Sequence, residues 1–336
     1  MLKFMACSAV LSIAMMIGRM MIVSETIDIR ESDIMALNPA LMSILLLDRT
    51  TGKNIIWATD DYKSLGDGYA ATDEITIPAI TGEHENLIQP RIAKALESQN
   101  SRTRDMAEVF TPSWICNAQN NLVDAEWFGR ESVFNVAKDT TWETIMDLIA
   151  FPEKKIRDWK HYVDARRIEI SCGEAPYLVS RYDSATGQSI PLHDRIGLLD
   201  RKMRVINENA ADEEEWMNWT LRAYQSIYGY EFQGDSLLLA RENLFYTFLE
   251  NCRAKWQHDP SMVQMRRIAT VLSWNLWQMD GLTYTIPYHT QEDEEPKQIG
   301  LFEMVSEKPD PVVCQIKDWR SKLIFKFVSM TKGAKR

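Results

Sequence analysis

Three short segments hold the residues best suited to chemistry. Glu108-Val109-Phe110-Thr111-Pro112 sets a hydroxyl between a ring and a proline. Arg167-Ile168-Glu169-Ile170-Ser171-Cys172-Gly173-Glu174-Ala175-Pro176-Tyr177 reads as a short strand that ends in small residues. Tyr228-Gly229-Tyr230-Glu231-Phe232-Gln233-Gly234-Asp235 leads into a helical pattern containing Ala240-Arg241-Glu242-Asn243-Leu244. A strand, a glycine turn and a helix open a doubly wound α/β sheet, which binds ligands at the carboxyl ends of its strands. Small residues in that turn let backbone approach a ligand closely. A carboxylate at the next strand tip would accept hydrogen bonds from ribose hydroxyls, roughly 20 residues on in dinucleotide folds. Asp200 lies near that spacing and Glu231 lies later, so spacing alone leaves both open. Asp280, in Met279-Asp280-Gly281, offers a polar group for an adenine amine or simply a turn-forming Asp-Gly pair.

In this order the segments resemble the S-adenosylmethionine-binding half of an adenine-N6 DNA methyltransferase from a restriction-modification system. The resemblance covers about Leu41 to Asp280. It implies an α/β, Rossmann-like methyltransferase sheet with helices on both faces, and S-adenosyl-L-methionine as cofactor. It selects Glu231 over Asp200 as the ribose acid, since an aromatic residue, glycine, one residue and an acid precede a helix with Ala-Arg-x-Asn-Leu. By the same resemblance Phe110, Thr111 and Pro112 form the upstream segment whose threonine contacts the cofactor carboxylate. Glu169, Cys172, Gly173 and Ala175 surround its amino-acid end, and Asp280 meets its adenine. The stretch from Asp183 to Ala223 then reads as an insertion. Trp57-Ala58-Thr59-Asp60 and Trp127-Phe128-Gly129 are shared as well, without assigned chemistry; Trp127 and Phe128 are expected in the core.

The chain departs from that family at the chemistry. Adenine methylation acts on a flipped base. In the family, an Asn/Asp-Pro-Pro-aromatic tetrapeptide positions the amine and stacks on the ring. Asn38-Pro39-Ala40-Leu41, Asp259-Pro260-Ser261 and Asp310-Pro311-Val312 all fail the pattern, and no other segment supplies it. The expectation is a cofactor-binding portion, inactive alone, that reaches DNA through a missing or separate C-terminal part or a second restriction-modification polypeptide. The alternative is a non-catalytic interaction subunit that binds no cofactor. A nuclease component has no convincing Asp…Glu-x-Lys arrangement to support it.

The 336 residues carry a net charge of -10, so any DNA-contacting basic surface must be local. Seven basic residues and one acid between Lys317 and Arg336 form a basic tail, expected to be a solvated end, behind an acidic linker from Gln291 to Asp310. The five cysteines and five histidines are scattered without metal-ligand spacing, which points to a reducing, cytoplasmic setting and no metal. An apolar run from Phe4 to Gly18 is too short to span a bilayer comfortably. It reads as a translated leader, with no membrane role, within residues 1–40.

A small β-containing module is expected over 41–100. Its strands are Leu41–Asp48, Asn54–Ala58 and Glu74–Ile77, the first two joined by a Thr51-Gly52 turn. Arg91 to Asp105 reads as an exposed helix or linker. The cofactor domain spans 101–290. Pro112 starts a helix with Trp114, Ile115, Ala118 and Leu122 on one face. Arg166–Ser171 is a strand and Pro176–Tyr182 starts the helix after it. Ser236–Trp256 and Ser261–Ser273 are amphipathic helices, and a strand begins at Asn275. Residues 291–336 form the linker and tail.

Overall fold

The computed structural model describes residues 30–93, 111–153, 157–290 and 310–331. It is a mixed α/β structure centred on a three-stranded parallel sheet. Two antiparallel strands come first, β1 (Asn135–Lys138) and β2 (Thr141–Thr144). The parallel sheet follows, with β3 (Arg167–Ile170), β4 (Ile227–Glu231) and β5 (Leu276–Gln278) in the order β3-β4-β5. Glu169 lies beside Gly229, and Glu231 beside Gln278.

Parallel neighbours need long crossovers. Between β3 and β4 the chain forms α5 (Leu198–Asn209) and α6 (Glu213–Gln225). The Asp183–Ala223 stretch is therefore a core-forming crossover in this chain. Asp212 caps α6 by accepting from the Glu215 amide, and Glu213, Glu214 and Glu215 suit the positive end of its dipole. Between β4 and β5 run α7 (Gly234–Trp256) and α8 (Met262–Asn275), which starts with a Ser261–Gln264 capping box. The long helix is buried around nearly its whole circumference and carries Asp235, Arg241 and Glu242 inside, so it is not the amphipathic surface helix its spacing predicts.

The N-terminal strands are not formed. Glu31–Leu37 (α1) and Pro39–Leu46 (α2) are helices, and α1 lies inside the expected leader. Asn38 caps α2 by accepting from the Ala40 amide, and Pro39 occupies its first turn. Only isolated bridges remain of the predicted sheet, Leu47 with Asn54 and Ile56 with Glu74. Leu41, Met42 and Trp57 share one hydrophobic core with Leu237 and Phe248 of α7.

Helix α3 (Ser113–Phe128) begins after Pro112 as expected, but its buried face is the polar one. Leu122 is 72% exposed, whereas Asn117, Asn120 and Asp124 are buried. Trp127 and Phe128 pack into the core, as the sequence predicts. The helix expected after Pro176 is a series of turns. Ala175 holds a positive φ of 64°, and the residue before a proline avoids the α region in any case. The remaining helix of this half is α4 (Trp159–Asp164).

Helices cover the Ile227 and Leu276 face of the sheet. On the opposite face, Tyr230 and Trp277 meet the strand pairs β6 (Thr285–Thr290) with β7 (Pro311–Val313), and β8 (Gln315–Asp318) with β9 (Leu323–Lys326). The expectation of helices on both faces is thus not met among the described residues. Part of the expected solvated tail is the β8-β9 hairpin, with Ile316, Phe325 and Phe327 packed on the sheet and the short α9 (Val328–Thr331) behind it.

Burial dictates two local outcomes. A Cβ on Gly229 would stand 2.8 Å from Leu276 Cδ2 and 3.3 Å from Cys172 Sγ. Gly229→Ala should therefore cost about 1–3 kcal/mol, by the usual range for overpacking, read as a lower denaturant midpoint. Glu242 is fully buried, and neither carboxylate oxygen has a hydrogen-bond partner. Burial, with Glu31 adding to it, pushes its carboxyl well above the usual carboxylate range. The folded state then binds more protons than the unfolded one between the two pKa values, so stability falls as pH rises from the ordinary carboxylate range through the folded value. Glu242→Gln should raise the melting temperature at neutral pH and flatten that slope; an unchanged pH profile would contradict this reading.

Candidate functional site

The strand tips of β3 and β4 bring the principal predicted residues together. Beyond Ile170 the backbone enters the left-handed region at Ser171, Gly173 and Ala175 (φ 49°, 51° and 64°). Glycine adopts that conformation without the penalty other residues meet. A Cβ at Gly173 would have nothing within 4 Å, so the outer side of the turn is open. Cys172 points inward, is buried, and sits against Gly229, while its amide donates to the Tyr230 carbonyl at 2.9 Å.

Glu231 reaches across from the neighbouring strand tip. Its Oε2 accepts from the Gly173 amide at 2.8 Å, and its Oε1 from the Phe232 and Gln233 amides at 2.9 and 3.3 Å. Burial raises its pKa, while those three amides hold the charged form and pull it back. Glu169 is buried one strand away. Its Oε1 accepts weakly from the Tyr177 amide at 3.4 Å, and its Oε2 has no partner. Its carboxyl is pushed well above the ordinary range, first by burial and further by the Glu231 charge, against the pull of the Tyr177 and Leu178 amides. Two carboxyl groups thus flank the open glycine turn, and one has a buried oxygen without a donor. Such an atom is costly unless something donates to it.

Thr111 belongs to the same cluster. Its carbonyl accepts from Ser184 Oγ at 2.8 Å, and burial pushes the nearby Tyr177 phenol up to about 12. Pro112 serves as the residue ahead of α3, whose first amide, Ser113, donates to Asp183 at 2.8 Å. Phe110 lies outside the described residues. Asp280 follows β5, but its Oδ1 accepts from the Leu282 and Thr283 amides at 2.8 and 3.3 Å, the role of a turn-forming aspartate. Asp200 is neither a surface turn residue nor at this site. It is buried with Arg201 and Lys202 in α5, and its Oδ2 accepts from the amides of Gly197 and Ser180 at 3.1 and 2.8 Å.

Several positioning residues escape the sequence reading. Asn243 of α7 donates to the Glu174 carbonyl inside the turn and to the Tyr182 hydroxyl, both at 3.2 Å. Arg241 donates to the Leu276 carbonyl at 2.9 and 2.6 Å and to the Leu45 and Leu47 carbonyls, tying α2 to β5. Gln278, beside Glu231, exchanges hydrogen bonds with the Ile56 backbone at 2.9 Å each way and donates to the Phe232 carbonyl at 2.8 Å. Arg241 and Asn243 stand in the quoted Ala-Arg-x-Asn-Leu run, which was the available signal; nothing in the sequence singles out Gln278.

Among the described residues no group of histidine, cysteine, aspartate or glutamate could hold a metal ion, and no helix is long and apolar enough to cross a membrane. No protein-family model, curated protein or solved structure matches the chain.

Proposed function

We propose that the chain binds S-adenosyl-L-methionine at the tips of β3 and β4, as the cofactor-binding portion of an adenine-N6 DNA methyltransferase with a Rossmann-like fold. The observation that carries this reading is the 2.8 Å contact between the Gly173 amide and Glu231, which joins the small-residue turn to the ribose acid the family resemblance selects. Glu231 keeps an acceptor site on Oε2 for a ribose hydroxyl, since Oε1 already accepts from two amides. The buried Glu169 Oε2 suits the ammonium of the methionine end, and the open side of Gly173 gives the ligand backbone room. When bound, the cofactor supplies an electrophilic methyl on sulfur. This chain's residues orient it and exclude water.

The chain carries no Asn/Asp-Pro-Pro-aromatic motif, so methyl transfer needs that motif from a missing or separate C-terminal part or from a second restriction-modification polypeptide, which would also bring the DNA. The net charge of -10 agrees with DNA being held elsewhere. The working place is the cytoplasm, in keeping with the four buried free cysteines described. One observation favours the alternative of an interaction subunit without cofactor: Glu231 already accepts three backbone amides. Calorimetric titration separates the two. Saturable heat with S-adenosylmethionine at one site per chain supports the proposal, and no heat at millimolar cofactor leaves the interaction subunit.

A further inference from the structure

Asp200 is the carboxylate that the cofactor site leaves over. Its Oδ2 is occupied by the Gly197 and Ser180 amides and by the Ser180 hydroxyl at 3.1 Å. Its Oδ1 has no hydrogen-bond partner among the described residues, although Asp200 is only 6% exposed. A buried acceptor is costly unless something donates to it. Asp200 lines a cavity of about 430 Å³ between α5, α7 and the segments around Met146 and Leu192. That volume lies in the usual range of small-molecule sites. Among the described residues, none that lines it belongs to the β3 and β4 tips.

The lining narrows the ligand class. Arg204 is paired with Glu208 at 2.7 Å. Arg195 and Arg181 share Glu250 at 2.5 and 2.6 Å, which leaves a positive charge over. Asp200 offsets it, and Arg195 in turn holds the Asp200 carboxyl toward its charged form against burial. The ionised groups therefore balance. A charged ligand would bring an uncompensated charge against a largely desolvated wall. Asn207 of α5 donates to the Asn251 oxygen of α7 at 2.8 Å, and Asn251 donates to the Thr247 carbonyl at 2.8 Å. Each amide nitrogen thus donates once among the described residues and keeps a second hydrogen. The cavity offers an acceptor at Asp200 and donors at the two asparagines. A hydroxyl is the neutral group that answers both through one atom. Leu192 and Met146 supply apolar wall for carbon to lie against.

We propose that this cavity binds a small neutral polyol of monosaccharide size, with one hydroxyl donating to Asp200 Oδ1 and others accepting from Asn207 and Asn251. The inference holds whether or not the chain binds a cofactor at β3 and β4.

The test follows the side-chain amide signals of Asn207 and Asn251 in the full chain by nitrogen–proton NMR, while D-glucose and D-ribose are added separately. At least one sugar should shift both signals saturably at millimolar concentration. Asp200→Asn keeps an oxygen for the Gly197 and Ser180 amides and should weaken that sugar by about tenfold or more. Asp200 also holds the start of α5, so Leu192→Trp serves as a second variant. At a half-buried wall position it narrows the cavity and should weaken the sugar similarly, whereas Glu231→Ala should leave it unchanged. Inorganic phosphate and putrescine are the charged comparisons. A shift with either of these and none with the sugars would show that the ligand class is wrong. Undiminished binding in either variant, once folded, would place the sugar elsewhere. No shift with any probe would leave the cavity to water. Each of these three results overturns the proposal.

Discussion

Asp124→Ala is expected to destabilise the fold by about 3–5 kcal/mol, the usual cost of stripping one partner from a buried ion pair. Asp124 and Arg201 are each only 1% exposed at the side chain and lie 2.6 Å apart. The same guanidinium donates to Asn117 and Asn121 at 2.8 Å each and lies over the Phe134 ring, while Tyr162 donates to the other Asp124 oxygen at 2.9 Å. Removing the carboxylate leaves a desolvated cation with only amide oxygens around it. The pair as a whole is a poor source of net stability, because taking two charges out of water offsets most of their attraction. Asp124→Leu combined with Arg201→Met should therefore recover most of the loss. Denaturant midpoints at unchanged slope provide the measurement. A single-variant loss below about 1 kcal/mol would show that the pair is solvated in a way its burial does not allow.

Glu231→Ala should weaken S-adenosylmethionine binding by about 10- to 100-fold, since a hydrogen bond to a charged acceptor is worth about 1.5–3 kcal/mol. The side chain also ties Gly173 to the β4 tip, so its loss frees the turn as well as the ribose. Glu231→Gln separates the two effects. It keeps an acceptor for Gly173 but loses the charge, and should fall between wild type and alanine. Glu169→Gln retains the shape of the pocket and removes the counter-charge for the ammonium, with an expected loss of about tenfold. If Glu231→Ala binds the cofactor as tightly as wild type by calorimetry, the site is wrongly placed.

Where the sequence was legible, the reason is local. The β3 strand and the glycine turn were readable because strand and turn signals sit next to one another; Glu231 was chosen over Asp200 by the family resemblance, not by local pattern. Gly173 with φ 51° is the conformation that the residue type announces. The α8 capping box at Ser261 and Gln264 is equally local. The failures are places where tertiary structure decides. Leu41–Leu46 is an apolar run interrupted only by Ser43, which fits a buried strand or a buried helix equally well; Asn38 and Pro39 tip it to helix from outside the run. On α3 the apolar residues Trp114, Ile115, Ala118 and Leu122 share one face, but that face is not the buried one. The true inner face is polar because it serves Arg201, a residue far along the chain, and no hydrophobic period can reveal that. Pro176 reads as a helix start, yet the residue before it stands at a positive φ. Asp280 showed its two readings from the outset, and its oxygen is used by the turn.

The central claim is that the Gly173 turn and Glu231 close around one sulfonium nucleoside. Diffraction from crystals soaked with S-adenosylhomocysteine tests it most directly. The account predicts ribose hydroxyls within hydrogen-bonding distance of Glu231 and the amino group beside Glu169. A nucleoside bound elsewhere, or crystals that take up none at millimolar concentration, would contradict it.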